Sequence, residues 1–292
     1  MRKMDIYKSR FFAESWNVAY RKRQEGIPFE KSDETFIVIK NSFRYWAADP
    51  FLFEKDNETY IFAELYDYIE AKGVIGYLRL NDKNPRWIPV IREKYHLSFP
   101  FIYEENNEIY ILPESNESKT LYRYRAVDFP GRWAKEEAIV KDVRLADTTP
   151  IKEHNNNLAL TYDLADDSLK LIDLTQKNIK LLYPDKTGVR RPAGYINADK
   201  GIRAAQECLE DYGKGIILYH FELSWEQDYH EIEIKRIYPK NVVLSKKLYL
   251  DGMHTYNQSE NYEVIDIKTR RFNILNFCMR LFRTVRRKCM NR

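Results

Sequence analysis

The sequence predicts an all-β chain built from a repeated unit, on three observations. The first is a stretch written twice. Trp46-Ala47-Ala48-Asp49-Pro50-Phe51-Leu52-Phe53, a polar turn and Tyr60-Ile61-Phe62-Ala63-Glu64 are followed by His96-Leu97-Ser98-Phe99-Pro100-Phe101-Ile102-Tyr103, a polar turn and Tyr110-Ile111-Leu112-Pro113-Glu114. The prolines, the tyrosines and the closing glutamates are each 50 residues apart. The second is a period of two, as in Leu121-Tyr122-Arg123-Tyr124, with no competing helical periodicity between residues 34 and 265. The third is the size of the unit: about four strand-like runs in roughly 40 to 50 residues mark a β-propeller blade. A body of about 250 residues divided by about 50 gives five blades.

Taken in order, residues 1–33 are expected to form an N-terminal extension packed on the propeller, with helix favoured near Ile6 to Glu14. Residues 34–266 form the propeller. Its first two units close with second hairpins at Gly73 to Leu80, with Trp87, and at Thr120 to Arg125, with Trp133. A third unit opens on Asp147-Thr148-Thr149-Pro150 and runs to Tyr162, which puts Pro50, Pro100 and Pro150 in register. A fourth begins at Arg191-Pro192-Ala193-Gly194-Tyr195 and reaches Gln206, and Tyr212 to Tyr219 starts another set of strands. The last echo is Gly252 to Asn257. Ten glycines are few for so many tight turns.

Residues 267–292 read differently. From Lys268 to Arg292 there are nine basic residues and no acid, on a chain whose net charge is only +4. On a helix, Ile274, Phe277, Cys278, Leu281, Phe282 and Val285 fall on one side of Asn273 to Arg287, and Arg280, Arg283 and Arg287 on the other. A basic amphipathic helix of this kind lies in a membrane interface and favours anionic lipid, so Arg280, Phe282, Arg283 and Arg287 are the expected membrane contacts; the alternative is a helix whose apolar face packs on the propeller or on a partner.

Composition narrows the class. With 44% hydrophobic and 32% charged residues, the chain is globular rather than disordered, and the near-balanced charge excludes nucleic acid as a partner of the body. Three cysteines at unrelated spacings suggest a reducing compartment. No apolar run suits a leader or a spanning helix, so a cytoplasmic protein peripheral on the inner face of the cell membrane is expected. No HExxH, CxxC pair, EF-hand loop, P-loop or GxGxxG is present, and neither metal nor cofactor is expected.

In a propeller the innermost strand of each blade lines the central channel. At the start of these strands the repeated frame carries different polar groups: Asp49, His96 with Ser98, Asp147 with Thr148, and Arg191. A frame kept for packing with its chemistry exchanged at one point describes a shared central site. Chemistry at an anomeric carbon calls for a pair of carboxylates. Asp49 is the candidate base or nucleophile, with Glu114 and Asp147 as partners; the alternative is that these acids bind turn backbone. Arg191, Arg203, Gln206, His96 and His254 are candidates to hold a phosphate or phosphosugar, with inter-blade ion pairs as the alternative. Trp46, Trp16 and Tyr256 could stack on a sugar ring or pack a core.

The series WAADPFLF, HLSFPF with ILPES, FPGRW, the Asp147 block, RRPAG, RAAQEC with DYG, and HTYN resembles one family over about residues 14 to 266. It is similar to the N-terminal domain of plant glucosamine inositolphosphorylceramide transferase and its bacterial relatives, some of which are joined to sugar formyltransferase domains. The resemblance implies a five-bladed propeller of the type shared with glycoside hydrolases that act on furanosides, and a setting in cell-surface glycan or glycolipid synthesis. In the plant protein the transferase activity is attributed to a separate C-terminal domain. Of the hydrolases' acids, the resemblance carries the first onto Asp49 and another onto Asp147, and gives the last no counterpart. The expected function is a membrane-associated glycosyltransferase using a nucleotide- or phospho-sugar, with Asn257 and Ser98 among the substrate contacts and sugar, nucleotide-sugar or glycolipid substrates and other glycan-assembly enzymes as partners. A non-catalytic glycan-binding module and a furanosidase-like hydrolase stand as alternatives.

Overall fold

A computed structural model describes residues 12–24, 26, 28–29, 34–154, 156–185, 187–223 and 229–272. These residues are almost entirely strand, with three short 3-10 turns. The chain opens with β1 (Phe12–Lys22) and β2 (Ile37–Val38). Three four-stranded antiparallel sheets follow: β3 (Tyr45–Lys55), β4 (Glu58–Asp67), β5 (Lys72–Arg79) and β6 (Ile88–Ile91); β7 (Ser98–Glu105), β8 (Glu108–Glu114), β9 (Thr120–Asp128) and β10 (Arg132–Lys141); β11 (Leu145–Pro150), β12 (Leu158–Asp163), β13 (Ser168–Asp173) and β14 (Asn178–Pro184). A fourth set is β15 (Pro192–Asn197), β16 (Ile202–Glu207), β17 (Gly215–Glu222) and β18 (His230–Ile237). The last set joins β19 (Leu250–Gly252), β20 (Tyr256–Gln258) and β21 (Tyr262–Phe272) to β1 and β2. One parallel bridge, Gly194 with Tyr256, links the fourth set to the last.

The first four sets are up-and-down meanders, because neighbouring strands are joined by connections too short for a crossover, whereas the last set pairs β21 with β1 from the other end of the chain. The scarcity of glycine is met by other residues that tolerate the left-handed region. Asp56-Asn57 and Asn106-Asn107 turn the first two hairpins with φ between 51° and 62°, the pair of positive φ values that a two-residue turn between twisted strands requires.

The core lies between the sheets. Phe51 meets Phe99 edge-on at 4.8 Å, and Phe62 packs on Phe129 and Trp133 of the next sheet. The first strand of each set touches the first strand of the next, in the order β3, β7, β11, β15, β20, and β20 returns to β3. A ring follows, and the fold is a β-propeller.

Two expectations change. The segment Phe12–Lys22 is an integral strand, paired residue for residue with β21 from Phe12–Phe272 to Lys22–Tyr262; helix is absent over Phe12 to Glu14, and residues 1–11 lie outside the described residues. The boundaries drawn at 33 and 266 therefore cut through one sheet. Lys268, counted as the first tail charge, is buried inside that sheet and pairs with Asp211 at 3.0 Å and Glu14 at 3.6 Å. Residues 273–292, which carry the expected amphipathic helix with Arg280, Phe282, Arg283 and Arg287, lie outside the described residues. No helix among the described residues is long and apolar enough to cross a membrane.

Candidate functional site in the central channel

Four of the inner strands are bent at the same point. Asp49, Phe99, Asp147 and Gly194 all have positive φ, at 49°, 46°, 51° and 99°. At each the pairing slips: between Ala48 and Phe51, Ser98 and Phe101, Ala146 and Thr149, and Pro192 and Ile196. A bulge of this kind re-aims a side chain and stores about 1–3 kcal/mol of strain at a non-glycine residue. The structural repeat is therefore Asp49, Phe99, Asp147. Thr148, not Pro150, stands where Pro50 and Pro100 stand, so the proline register expected for the third unit is off by two residues. The slip arises because the third unit reaches its bulge 48 residues after the second rather than 50.

Five buried carboxylates gather at these bulges: Asp49, Glu64, Glu114, Asp147 and Asp266. Glu64 lies across from Ala48 on β4, and Glu114 across from Ser98 on β8, at equivalent places in their sheets. Asp49 accepts from the Thr255 hydroxyl at 2.8 Å and from the Phe99 N–H at 3.2 Å. Asp266 accepts from the backbone N–H groups of His254, Thr255 and Asp49 at 2.9, 3.0 and 3.1 Å. His254 stands between them, its Nδ1 2.6 Å from Asp266 and its Nε2 3.5 Å from Asp49. Trp16 stacks on the His254 ring at 4.1 Å, and the half-exposed Tyr212 meets the same ring edge-on at 5.2 Å.

The second half of the cluster is organised by Arg191. Its Nε contacts Asp147 and its Nη2 lies 3.1 Å from Glu114. Gln206 donates to Asp147 at 2.7 Å, and Asn116 donates to Glu114. His96 sits on the flank. Its Nδ1 accepts from the Gly73 N–H at 3.0 Å, and its Nε2 is 3.4 Å from Glu64 Oε1.

Burial sets the protonation of this cluster. It pushes the Asp49 carboxyl up to about 6, against the pull of His254, and the Asp147 carboxyl up to about 7, against Arg191. Burial disfavours charge on His254, but Asp266 and Asp49 outweigh it and hold the imidazole above its ordinary value. Burial lowers His96. Carboxyl groups whose surroundings set their proton affinities apart, beside a charged imidazole, are the equipment of acid–base chemistry near neutral pH.

Of the residues singled out by sequence, Asp49, Glu114, Asp147, Arg191, Gln206 and His254 come together, with His96 and Ser98 at the edge. Three do not act as expected. Arg203 is buried away from the cluster, bound to Glu231 at 2.5 Å and to the Tyr229 hydroxyl at 2.9 Å, because its side chain runs over Tyr219 on the neighbouring β17 toward β18. Trp46 stacks flat on its cross-strand neighbour Tyr66 at 4.7 Å. Asn257 donates to the Pro50 carbonyl at 2.8 Å, which staples β20 to β3. Glu64, Asp266, Thr255 and Tyr212 were missed. Glu64 had a signal, the closing glutamate of the first unit; Asp266 had none, being one polar residue in a long alternating strand. Arg191 is paired with Asp147 and Glu114, Arg203 with Glu231, and His254 with Asp266 and Asp49, so among the described residues the three expected phosphate ligands are already bound to carboxylates.

Asp49, His254 and Asp266 place one ligand atom each within 4.8 Å of one another, a geometry that could hold a metal ion. Both Asp266 oxygens already accept backbone N–H groups, so the trio fits a hydrogen-bonded relay better than a coordination sphere. Further along the same strands a cavity of about 250 Å³ is lined by Phe51, Phe101, Pro150, Tyr195 and Gln258, one residue from each inner strand.

Comparison with known proteins bears on both fold and site. Residues 37–180 match the family described as "Glucosamine inositolphosphorylceramide transferase 1, N-terminal". The chain is 30% identical over 250 residues to glucosamine inositolphosphorylceramide transferase 1 of Arabidopsis thaliana, an alignment covering 77% of this chain and 31% of that protein. It is 28% identical over 212 residues to the protein of that name from Oryza sativa subsp. indica, covering 65% and 28%. The chain thus spans about a third of the length of the curated relatives it matches. Among solved structures, the RS223 β-xylosidase superposes with a TM-score of 0.51 at 10% identity, over 79% of this chain and 94% of that one, which is a likeness of fold.

Proposed function

We propose that this chain, whose residues 37–180 match the glucosamine inositolphosphorylceramide transferase N-terminal family, is a carbohydrate-active enzyme that transfers a glycosyl group during glycolipid or surface-polysaccharide assembly. The observation that carries this reading is the convergence of Asp49, Glu64, Glu114, Asp147 and His254 in one buried basin, with Tyr212 and Trp16 beside it. The five sets of strands are read as five blades whose axis runs through the basin.

Asp49 is the base. Its carboxyl sits at about 6, ionised at neutral pH yet close enough to it to take a proton, and His254, its own proton affinity raised by Asp266 and Asp49, pulls the Asp49 carboxyl down against burial. Arg191 holds Asp147 and Glu114 in place. Tyr212 offers a half-exposed ring for a sugar face. A donor that carries a phosphate or nucleotide keeps it outside the acid cluster, since Arg191 and His254 there are already paired with carboxylates. Residues 273–292 keep six of the basic residues, and with the apolar side opposite Arg280, Arg283 and Arg287 they support attachment to an anionic membrane from the cytoplasmic side.

A second reading has its own observation. Asp49, Asp147, Glu114 and Asp266 each accept hydrogen bonds that tie one strand to another, as acids in a purely structural ring would. A glycan-binding module would need no more. Turnover separates the two. With nucleotide-sugars, glycosides and lipid-linked sugars offered together with acceptor sugars, product is expected from the wild type, and Asp49→Asn should lower its rate by about 10²–10⁴-fold while keeping the unfolding transition. Equal rates in the two proteins contradict the assignment; carbohydrate binding without product in either leaves the module.

A further inference from the structure

One carboxylate in the basin is not used as a staple. Glu64 is 6% exposed, and its Oε1 has no hydrogen-bond partner. An unbonded buried carboxylate oxygen costs free energy that a structural role does not explain. The space it occupies is cleared by Gly73. A Cβ there would come within 2.6 Å of Glu64 Oε1 and 2.9 Å of the His96 ring. The Gly73 N–H in turn holds His96 at Nδ1, which turns Nε2 toward Glu64 at 3.4 Å. Glu64 also follows Asp49 in the same sheet, opposite Ala48, so one sheet presents both.

Resting on the reading above, we propose that Glu64 is the proton donor of the site, and that the bond cleaved is therefore one whose leaving group is a sugar or lipid alkoxide. The C–O bond to the leaving group breaks as the proton of the Glu64 carboxylic acid passes to the departing oxygen. The C–O bond to the acceptor forms as its hydroxyl proton passes to Asp49. A proton returned from Asp49 to Glu64 through solvent restores both groups. A diphosphate leaves as a stable anion and needs no such proton, so a dedicated acid selects glycosides over nucleotide-sugars as the donor. Burial, with the charges of Asp49, Glu114, Asp266 and Asp147 adding to it, holds the Glu64 carboxyl well above its ordinary range, as a proton carrier at neutral pH requires.

Two measurements test this. The first needs no substrate: infrared spectra of the whole chain at pH 7 should show a protonated-carboxyl stretch, part of it from Asp147, whose intensity Glu64→Gln lowers and Glu114→Gln leaves. An unchanged stretch in Glu64→Gln, or none in the wild type, overturns the proposal whatever the protein acts on. His96→Gln, which keeps Glu64, should keep the stretch and move its pH midpoint, so the test survives a poorly folding Glu64 variant. The second compares leaving groups. Glu64→Gln should lose about 10²–10⁴-fold on methyl glycosides and less than about tenfold on dinitrophenyl glycosides, which need no protonation. Equal losses on both overturn it. Wild-type inactivity on every glycoside, with the stretch assigned to Glu64, refutes the carbohydrate reading and leaves the proton carrier standing.

Discussion

Asp49 and Asp147 occupy the same bent position in two sheets, yet different neighbours balance them: a hydroxyl, a backbone N–H and an imidazole for one, a guanidinium and an amide for the other. Their shared burial has a consequence for stability. Each has a folded-state pKa above its ordinary value of 3.8, at about 6 and about 7. The folded state thus binds these protons more tightly than the unfolded chain. That contribution is complete below about pH 4 and is lost as pH rises through about 6 and about 7. Asp49→Asn removes one such group, so its stability relative to wild type should rise between about pH 4 and pH 6, by up to about 3 kcal/mol, and level off above about pH 7. Urea unfolding of both proteins across that range checks this; a constant difference contradicts it. Arg203 makes the opposite case. Arg203→Met takes from the buried Glu231 one of its two arginine partners, leaving Arg190 at 2.8 Å, and should cost about 1–3 kcal/mol, with carbohydrate binding by the folded protein unchanged. At this scale the sequence was readable where a residue sat in the repeated frame, as Asp49 did. It was not readable for Arg203, whose partner comes from a strand 28 residues away, nor for Asp266, whose role depends on three backbone groups brought to it by the fold.

At the scale of elements, the repeated frame proves to encode a bulge rather than a proline. Pro50 and Pro100 follow the left-handed residue in two sheets, Thr148 follows it in the third, and Gly194 takes the position itself in the fourth. Counting prolines found the period and missed the register by two residues, because proline accompanies the bend without being needed for it. The strands and hairpins were legible from alternation and from Asx-rich turns. The alternation could not tell which sheet would hold the N-terminal segment, since pairing of β1 with β21 joins residues about 250 positions apart. Gly194 gives an element-scale prediction. It stands at φ 99°, and a Cβ there would lie 2.5 Å from the Asn257 amide that holds the Pro50 carbonyl. Gly194→Ala should lower stability by about 1–3 kcal/mol. The same substitution at Gly131, where a Cβ meets nothing within 4 Å, should not. Thermal unfolding of the two variants compares them directly.

At the scale of the whole molecule, the ring is closed by its two ends. β1 supplies the strand between β21 and β2 in the last set, and Trp16 on β1 stacks against His254 in the basin. Closure and site are therefore coupled: the strand that completes the last sheet also walls the chemistry. A chain lacking residues 1–22 should lose cooperative unfolding, and supplying that segment as a peptide should restore part of it. The propeller was legible from the period of the repeat and the resemblance together, and the exchanged polar residues pointed to where Asp49 and Asp147 come together. Which end of the tail joins the sheet was not, because Lys268 reads as one more surface charge until Asp211 and Glu14 are seen around it. The claim on which the rest depends is that the axial basin receives a sugar. The direct measurement is ligand-induced thermal stabilisation against free sugars, alkyl glycosides and nucleotide-sugars, in the wild type and in Tyr212→Ala. A true ligand at about 100 times its dissociation constant should add about 2.7 kcal/mol, and loss of the ring at the basin should remove most of it. No stabilisation by any carbohydrate, or stabilisation untouched by the Tyr212 change, contradicts the account.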